Sequence, residues 1–322
     1  MSKLEANNIL SICIPTYNGA EKVHENLTHL IPIVAKHNII VYILDNASTD
    51  NTRDIVSEFK KQYEYIIYDR NDENIGADRN FEKILKQSQT KYSWLLGDDD
   101  LIYEEALNKV IDAIKENVEY SIICLNVAVH DGSRIKNIDD CVFENYNELM
   151  VNIGPHLTQM SILIFNTSIL ELVDVSNYYD TWFLQTCIVY NASVASKLPV
   201  KWINSHGFFL AKSNSCSWSQ EFFYTFTTRL YNSALLFDDI YTKKSKKKYV
   251  RTCFGYFGDP KWWLVRSRMN KEVTFLKVIK YRKSIRWAIP FKYRIFVTLL
   301  CFIPRKLLVF VRDYRRKRRL SK

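Results

Sequence analysis

The 322-residue chain is 47% hydrophobic and 25% charged, enough apolar material for one large or two modest folded domains and no sign of wholesale disorder. Its net charge of +10 is polarised: residues 241–322 hold 26 Lys and Arg against three acids (Asp259, Glu272, Asp313), a balance of +23, and the remainder carries −13. Seven cysteines without a C-x-x-C pair argue against a disulfide frame or zinc site. Eight glycines form neither G-x-G-x-x-G nor a P-loop, which sets aside hydride transfer and P-loop hydrolysis.

In chain order, the apolar run Ile9–Ile14 reads as a strand that stops at Pro15-Thr16-Tyr17-Asn18-Gly19. Val23, Leu27, Leu30, Ile31 and Val34 follow at helical spacing over Glu21–Lys36, with Pro32 inside the pattern. A second strand, Ile39–Leu44, ends in Asp45-Asn46-Ala47-Ser48-Thr49-Asp50, and the helix Thr52–Lys61 takes Ser48 or Asp50 as its cap. A third, Tyr65–Tyr68, leads into Asn74-Ile75-Gly76, Arg79-Asn80 and the helix Phe81–Gln87. The fourth, from Tyr92, runs through Trp94-Leu95-Leu96-Gly97 into Asp98-Asp99-Asp100. Tyr120–Leu125 and Ser161–Phe165 are further strands, Thr167–Val173 a short helix and Trp182–Ala195 an apolar one.

Strands alternating with helices every ~25 residues predict βαβ units and a mostly parallel sheet. Each polar cluster follows a strand, so all gather at the carboxyl edge, where open α/β sheets bind ligands. Three successive carboxylates at such an edge suit Mg²⁺ or Mn²⁺, hard cations that share coordination with substrate phosphates. The competing reading of the triplet is a turn capping a helix at Tyr103-Glu104-Glu105.

Taken together, Pro15–Asn18, Asp45–Asp50, Asn74–Gly76 with Arg79-Asn80, and the aspartate cluster resemble an inverting, family 2-type glycosyltransferase of the GT-A fold. The resemblance covers the first ~130 residues. It implies an α/β architecture with a Rossmann-like, mostly parallel mixed sheet, and a bacterial polysaccharide setting (capsule, O-antigen or lipooligosaccharide). It also implies that Pro15, Thr16, Tyr17, Asn18 and Asp45 hold the base and ribose of a nucleotide sugar, that Arg79 fixes the nucleotide, and that the aspartates bind ribose and a Mn²⁺ or Mg²⁺ ion. Two departures stand out. Gly97 occupies the first position of the family's Asp-x-Asp-Asp, so both Asp99 and the spacing Asp98-x-Asp100 fit the metal; we assign Asp99 and Asp100 to the metal and Asp98 to the ribose. Asn46 stands where a second acid is common.

Inverting transfer also needs a general base on the acceptor hydroxyl. Asp180, in Asn177-Tyr178-Tyr179-Asp180-Thr181-Trp182 before the apolar helix, is the expected base. Capping of that helix is its alternative role, and Asp174, Glu171 and Glu221 compete with it. Gly207–Ala211 and Ser213–Trp218 are expected to line the acceptor site, since aromatic faces stack on sugars.

The basic C-terminal quarter points to an anionic partner. Aromatics are interleaved with the basic residues, and the uncharged runs of Arg294–Arg312 fall far short of a ~20-residue span, so an interfacial segment on a membrane is expected. Arg315–Arg319 adds roughly 1 kcal/mol per basic residue near an anionic surface. A buried helix pair with a solvated tail is the alternative. Lys243–Lys248 is expected to be an exposed loop.

The polar start before the first strand carries no signal-peptide pattern. The expected organisation is therefore a nucleotide-sugar-binding half at 1–130, an acceptor-binding half at 131–240 and a helical membrane-associating region at 241–322. It is read as a cytoplasmic glycosyltransferase, peripheral on the inner face of the membrane, acting on a saccharide or lipid-linked saccharide. A catalytically silent nucleotide-binding adaptor and a nucleic-acid-binding protein are the rivals, the latter opposed by the acidic balance of the first three quarters.

Overall fold

The computed structural model describes residues 7–129, 132–133, 135–210, 221–256 and 258–320. It divides into two compact units, Met1–Ser215 and Cys216–Lys322. The expected acceptor stretch Ser213–Trp218 lies outside the described residues.

The first unit begins with β1 (Asn7–Thr16), α1 (Ala20–Val34), β2 (Ile39–Asp45), α2 (Thr52–Gln62), β3 (Ile66–Arg70), α3 (Ala77–Gln87) and β4 (Tyr92–Leu95). It continues through β5 (Asp100–Ile102), α4 (Glu104–Lys115), β6 (Ile122–Asn126), the short pair β7 (Ala128–Val129) and β8 (Gly132–Ser133), β9 (Cys141–Phe143) and α5 (Tyr146–Asn152). Last come β10 (Leu163–Asn166), α6 (Leu184–Ser196), β11 (Val200–His206) and β12 (Phe208–Leu210).

Eight strands form one sheet in the order β3-β2-β1-β4-β10-β6-β11-β9. β10 runs antiparallel to both β4 and β6, and β9 antiparallel to β11; the other pairings are parallel. This is the mixed, mostly parallel α/β sheet that the alternating pattern predicts. β2, β4, β6 and β10 are buried along nearly their whole length, as strands covered on both faces must be. The helices supply the cover: α1 turns Val23, Leu27, Leu30 and Val34 inward, and Pro32 is accommodated within it. The expected helix at Thr167–Val173 is a 3-10 stretch, Thr167–Leu172.

The second unit is helical: α7 (Phe222–Tyr224) passes through a π-helical stretch, Thr225–Arg229, into α8 (Leu230–Leu235). It is followed by α9 (Lys243–Tyr256), α10 (Pro260–Met269), α11 (Phe275–Lys280), α12 (Arg282–Ala288), α13 (Phe291–Leu300) and α14 (Arg305–Leu320). Phe222 stacks on Trp263 with centroids 4.0 Å apart, over a core of Tyr249, Val250, Cys253 and Phe254. Asp259 caps α10 by accepting from Lys261 N at 2.9 Å, with Pro260 at the first helical position. Pro290 and Pro304 fall in the breaks before α13 and α14.

One expectation is corrected. Lys243–Lys248 is no loop but the first turns of α9. Lysine is a good helix former, and the period sorts the run. Lys243, Lys244, Lys247 and Lys248 face solvent, while Lys246 turns inward and donates to Phe237 O at 2.5 Å.

Candidate active site

The parallel register brings the ends of β1, β2 and β4 to one edge. Thr16 lies opposite Asp45, and Cys13 opposite Leu95, so the segments leaving all three strands start side by side. Two backbone bonds extend the ladders into those segments: Asn46 N donates to Thr16 O and Leu96 N to Cys13 O, each at 2.9 Å.

The aspartates do not cap a helix: α4 starts from Tyr103 without any side-chain cap, and Asp100 already belongs to β5, which pairs with β12. Thr16 Oγ1 donates to Asp98 Oδ2 at 2.7 Å. The Lys22 ammonium, from the first turn of α1, stands 3.7 Å from Asp98 Oδ1 and 3.5 Å from Asp99 Oδ2. Ser161 Oγ donates to Asp100 Oδ2 at 2.5 Å and accepts from Gly97 N at 2.8 Å. Asn26, buried beneath, donates to Asp100 O at 2.7 Å.

Burial pushes Asp98 up to about 6, held back by Lys22 and the Thr16 hydroxyl. It pushes Asp100 up to about 7, with the Ser161 hydroxyl lowering it and the charges of Asp99 and Asp98 raising it. For Lys22, burial works against the charge, but Asp98 and Asp99 outweigh it and raise the ammonium above its ordinary value.

Gly97 suits this packing. A Cβ there would lie 2.9 Å from Asp100 Oδ2 and 3.3 Å from Ser161 Oγ, so the family's first acid would press both side chains aside. At Gly19 a Cβ would meet Thr16 Oγ1 at 2.4 Å and Asp98 Oδ2 at 2.5 Å.

Beside this cluster, Asp45 is fully buried. Its Oδ1 accepts from Ser48 N and its Oδ2 from the Tyr68 hydroxyl, both at 2.8 Å, with Arg70 Nε 3.8 Å away. Burial and the adjacent carboxylate push the Tyr68 phenol well above its usual range. Asn18 holds a left-handed conformation (φ 49°), donates its N–H to Ser48 Oγ at 2.8 Å and accepts from Thr49 N at 2.8 Å. Asn46 explains its own departure from an acid. Its amide donates to Asn74 Oδ1 at 2.9 Å and accepts from Asn71 Nδ2 and Ile75 N, a set that needs donor and acceptor in one side chain.

Arg79 and Asp180 form a second group. The Arg79 guanidinium packs 4.3 Å over the Tyr179 ring and lies 3.8 Å from Asp180 Oδ1. The Tyr179 hydroxyl donates to Glu82. Asp180 does not cap α6, which starts after Phe183; Thr181 Oγ1 accepts from Phe183 N instead. Both Asp180 (φ 63°) and Trp182 (φ 61°) are left-handed, a rare state for bulky residues that concentrates at functional sites. The buried Asp78 carboxylate anchors this turn by accepting from Trp182 N at 3.2 Å; burial pushes it up to about 6. Among the competing acids, Asp174 caps its own 3-10 turn by accepting from Ser176 N, and Glu221 pairs with Arg229 at 2.7 Å.

Thr16, Asn18, Asp45 and Asp98 are thus linked through the strand ends, and Pro15 precedes them at the end of β1. Tyr17 is exposed, Asp99 shares Lys22 with Asp98, and Asp100 turns to Ser161. Lys22, Asn26, Tyr68, Asp78 and Ser161 escaped the sequence reading. Lys22 carried the one usable signal, a cation in the first turn of a helix that leaves the site.

The sheet order and the helices that flank it are those of a GT-A fold. Residues 11–164, just under half of the chain, match the sequence profile described as glycosyl transferase family 2. Abequosyltransferase RfbV of Salmonella typhimurium is 39% identical over 102 residues, 31% of this chain and 30% of that protein. The chain spans half or less of the length of these curated relatives, and about a third or less of three of the most similar. Among solved structures, S. aureus TarS 1-349 in complex with UDP-GlcNAc superposes with TM-score 0.57 at 16% identity, covering 87% of this chain and 84% of that one. Mannosyltransferase PcManGT from Pyrobaculum calidifontis, in complex with GDP-Man and Mn²⁺, gives TM-score 0.56 at 12% identity, covering 96% and 88%. These two likenesses establish the fold.

Asp98 and Asp99 converge on one positive charge, the Lys22 ammonium, at the strand edge. Among the described residues no three His, Cys, Asp or Glu side chains enclose a metal by themselves. Mg²⁺-type sites need no such cage: one or two carboxylates suffice when substrate phosphates complete the shell.

Proposed function

We propose that this protein is an inverting, metal-dependent glycosyltransferase that moves a sugar from a nucleotide-sugar donor to a saccharide or lipid-linked saccharide. The observation that carries it is the convergence of Asp98 and Asp99 on a single cation beside Thr16 and Asp45, within the segment that matches the family 2 profile. The UDP-GlcNAc and GDP-Man complexes of the two structural neighbours support the donor class.

Asp99 and Asp100 would hold Mn²⁺ or Mg²⁺, with Asp98 toward the ribose; the ion would supply charge neutralisation to the departing diphosphate. Pro15–Asn18 and Asp45 frame the base and ribose, and Arg79 adds a second positive charge for the nucleotide. Asp180 takes the proton from the acceptor hydroxyl as that oxygen attacks the anomeric carbon from the face opposite the diphosphate. The six cysteines among the described residues are free thiols, which supports a cytosolic location.

The test is a screen of nucleotide sugars with and without Mn²⁺ by thermal shift, followed by nucleoside diphosphate release from the donor that shifts most. Asp99→Asn is expected to abolish both turnover and Mn²⁺-dependent nucleotide binding with the fold intact. Metal dependence equal to wild type in that variant would refute the assignment.

A further inference from the structure

We propose that the outward face of α11, α13 and α14 is a docking surface for a membrane rich in anionic phospholipid. The argument is independent of the glycosyl-transfer reading and rests on the second unit alone.

Phe291, Ile295, Leu299 and Phe302 are spaced by four, four and three residues, which puts them in one stripe of the α13 segment. All four face solvent, at 69%, 49%, 61% and 69% exposure, while Val297 and Leu300 on the opposite side are buried. The apolar side that normally packs inward is therefore present twice on α13, once used and once bare. The bare stripe extends to α11: the Phe275 ring lies 5.4 Å from Phe302, and Leu276 and Ile279 beside it are exposed. α14 repeats the pattern with Leu307, Phe310, Val311 and Tyr314, again one exposed face. Soluble proteins rarely leave so many large apolar side chains exposed on neighbouring segments without a partner.

Charge selects the occupant. Between Glu272 and Asp313 the sequence contains no acid, and Lys and Arg recur throughout, including Lys277, Lys280, Lys292, Arg294 and Arg312. Arg294 lies 5.2 Å over the Phe291 ring, so the cations border the stripe itself. A second copy of the chain would bring like charges together across such a face. Nucleic acid would leave Ile295, Leu299 and Leu307 without a use. A bilayer of anionic headgroups over acyl chains matches both features, apolar side chains at the acyl boundary and cations at the phosphates. Among the described residues no helix is long and apolar enough to cross a membrane, so the helices lie on the surface.

The experiment is sedimentation of the full chain with phosphatidylcholine vesicles, with and without phosphatidylglycerol, at low and high salt. Light scattering of the free protein and titration with duplex DNA accompany it. Wild type is expected to bind the anionic vesicles, less so at high salt. The Leu299→Ser, Phe302→Ser double variant is expected to partition about ten-fold more weakly. Its thermal midpoint and nucleotide binding should stay at wild-type values, which separates loss of docking from misfolding. Vesicle binding that is absent in wild type or unchanged in the double variant overturns the proposal. So does a wild-type dimer that the variant dissolves without any effect on vesicles, or tighter binding to DNA than to anionic vesicles.

Discussion

Replacing Asp180 by Asn separates catalysis from architecture, because the local backbone is already suited to asparagine. Asp180 sits at φ 63°, a left-handed state that Asn tolerates best among residues with a side chain, so the substitution adds no backbone strain. The charge lost is mostly solvated: the pair with Arg79 spans 3.8 Å with the two side chains 44% and 87% exposed. Such a pair is worth less than about 1 kcal/mol. Stability should therefore change by no more than that. If Asp180 accepts the acceptor's proton, turnover should fall by roughly 10²–10⁴-fold while donor affinity holds. Asp180→Ala should lose the same activity and, in addition, on the order of 1 kcal/mol of stability from forcing a left-handed alanine. The assay combines initial rates of nucleoside diphosphate release, donor KM and a denaturant midpoint. Wild-type kcat in Asp180→Asn, with the acceptor saturating, would remove the residue from the mechanism.

Two further outcomes follow from buried polar groups. Ser161→Ala strands the Gly97 N–H and strips Asp100 of its donor, which should cost about 1–3 kcal/mol in a denaturant titration and weaken Mn²⁺ affinity; an unchanged midpoint would show that the bridge contributes nothing. Glu272, pushed up by burial to about 7, has one carboxylate oxygen accepting from Phe223 N at 2.8 Å and the other buried without a partner in the structure. Because its folded pKa lies above the ordinary 4.5, its contribution is full in acid and is lost as pH rises through about 7. Glu272→Gln should match wild type near pH 4 and exceed it above pH 7. The gain is about 3 kcal/mol at face value and about 1–2 kcal/mol once partial solvent access is allowed for. Thermal midpoints from pH 4 to 8 decide, and parallel curves would refute it.

The sheet was legible because strands buried on both faces read as continuous apolar runs, and because each run ends in residues that only a turn or a site uses. Thr16, Asp45 and Asp98 were legible for the same reason. Ser161 was not. It is an ordinary serine just before an apolar strand, and its meaning appears only when β10 pairs antiparallel with β4 and sets it against Gly97. Asp78 was hidden in a polar stretch that read as loop before the helix at Phe81, and its burial depends on a turn more than a hundred residues later. The lysine run misled because composition suggested a loop, whereas the helical period decided which amine went inside. The bare stripe on α13 was half legible. Its residues are obvious in the sequence, but only the fold shows which of two apolar sides the core consumes.

Gly97 and Ser161 carry a consequence for how sequences of this kind diverge. An acid at position 97 and a hydroxyl at 161 compete for one small volume beside Asp100. Each change alone carries a cost: the acid presses on the Ser161 hydroxyl and the Asp100 carboxylate, and losing the serine orphans a backbone amide. The two sites should therefore switch in tandem across related chains, with a smaller or absent side chain at 161 wherever the fourth carboxylate is present.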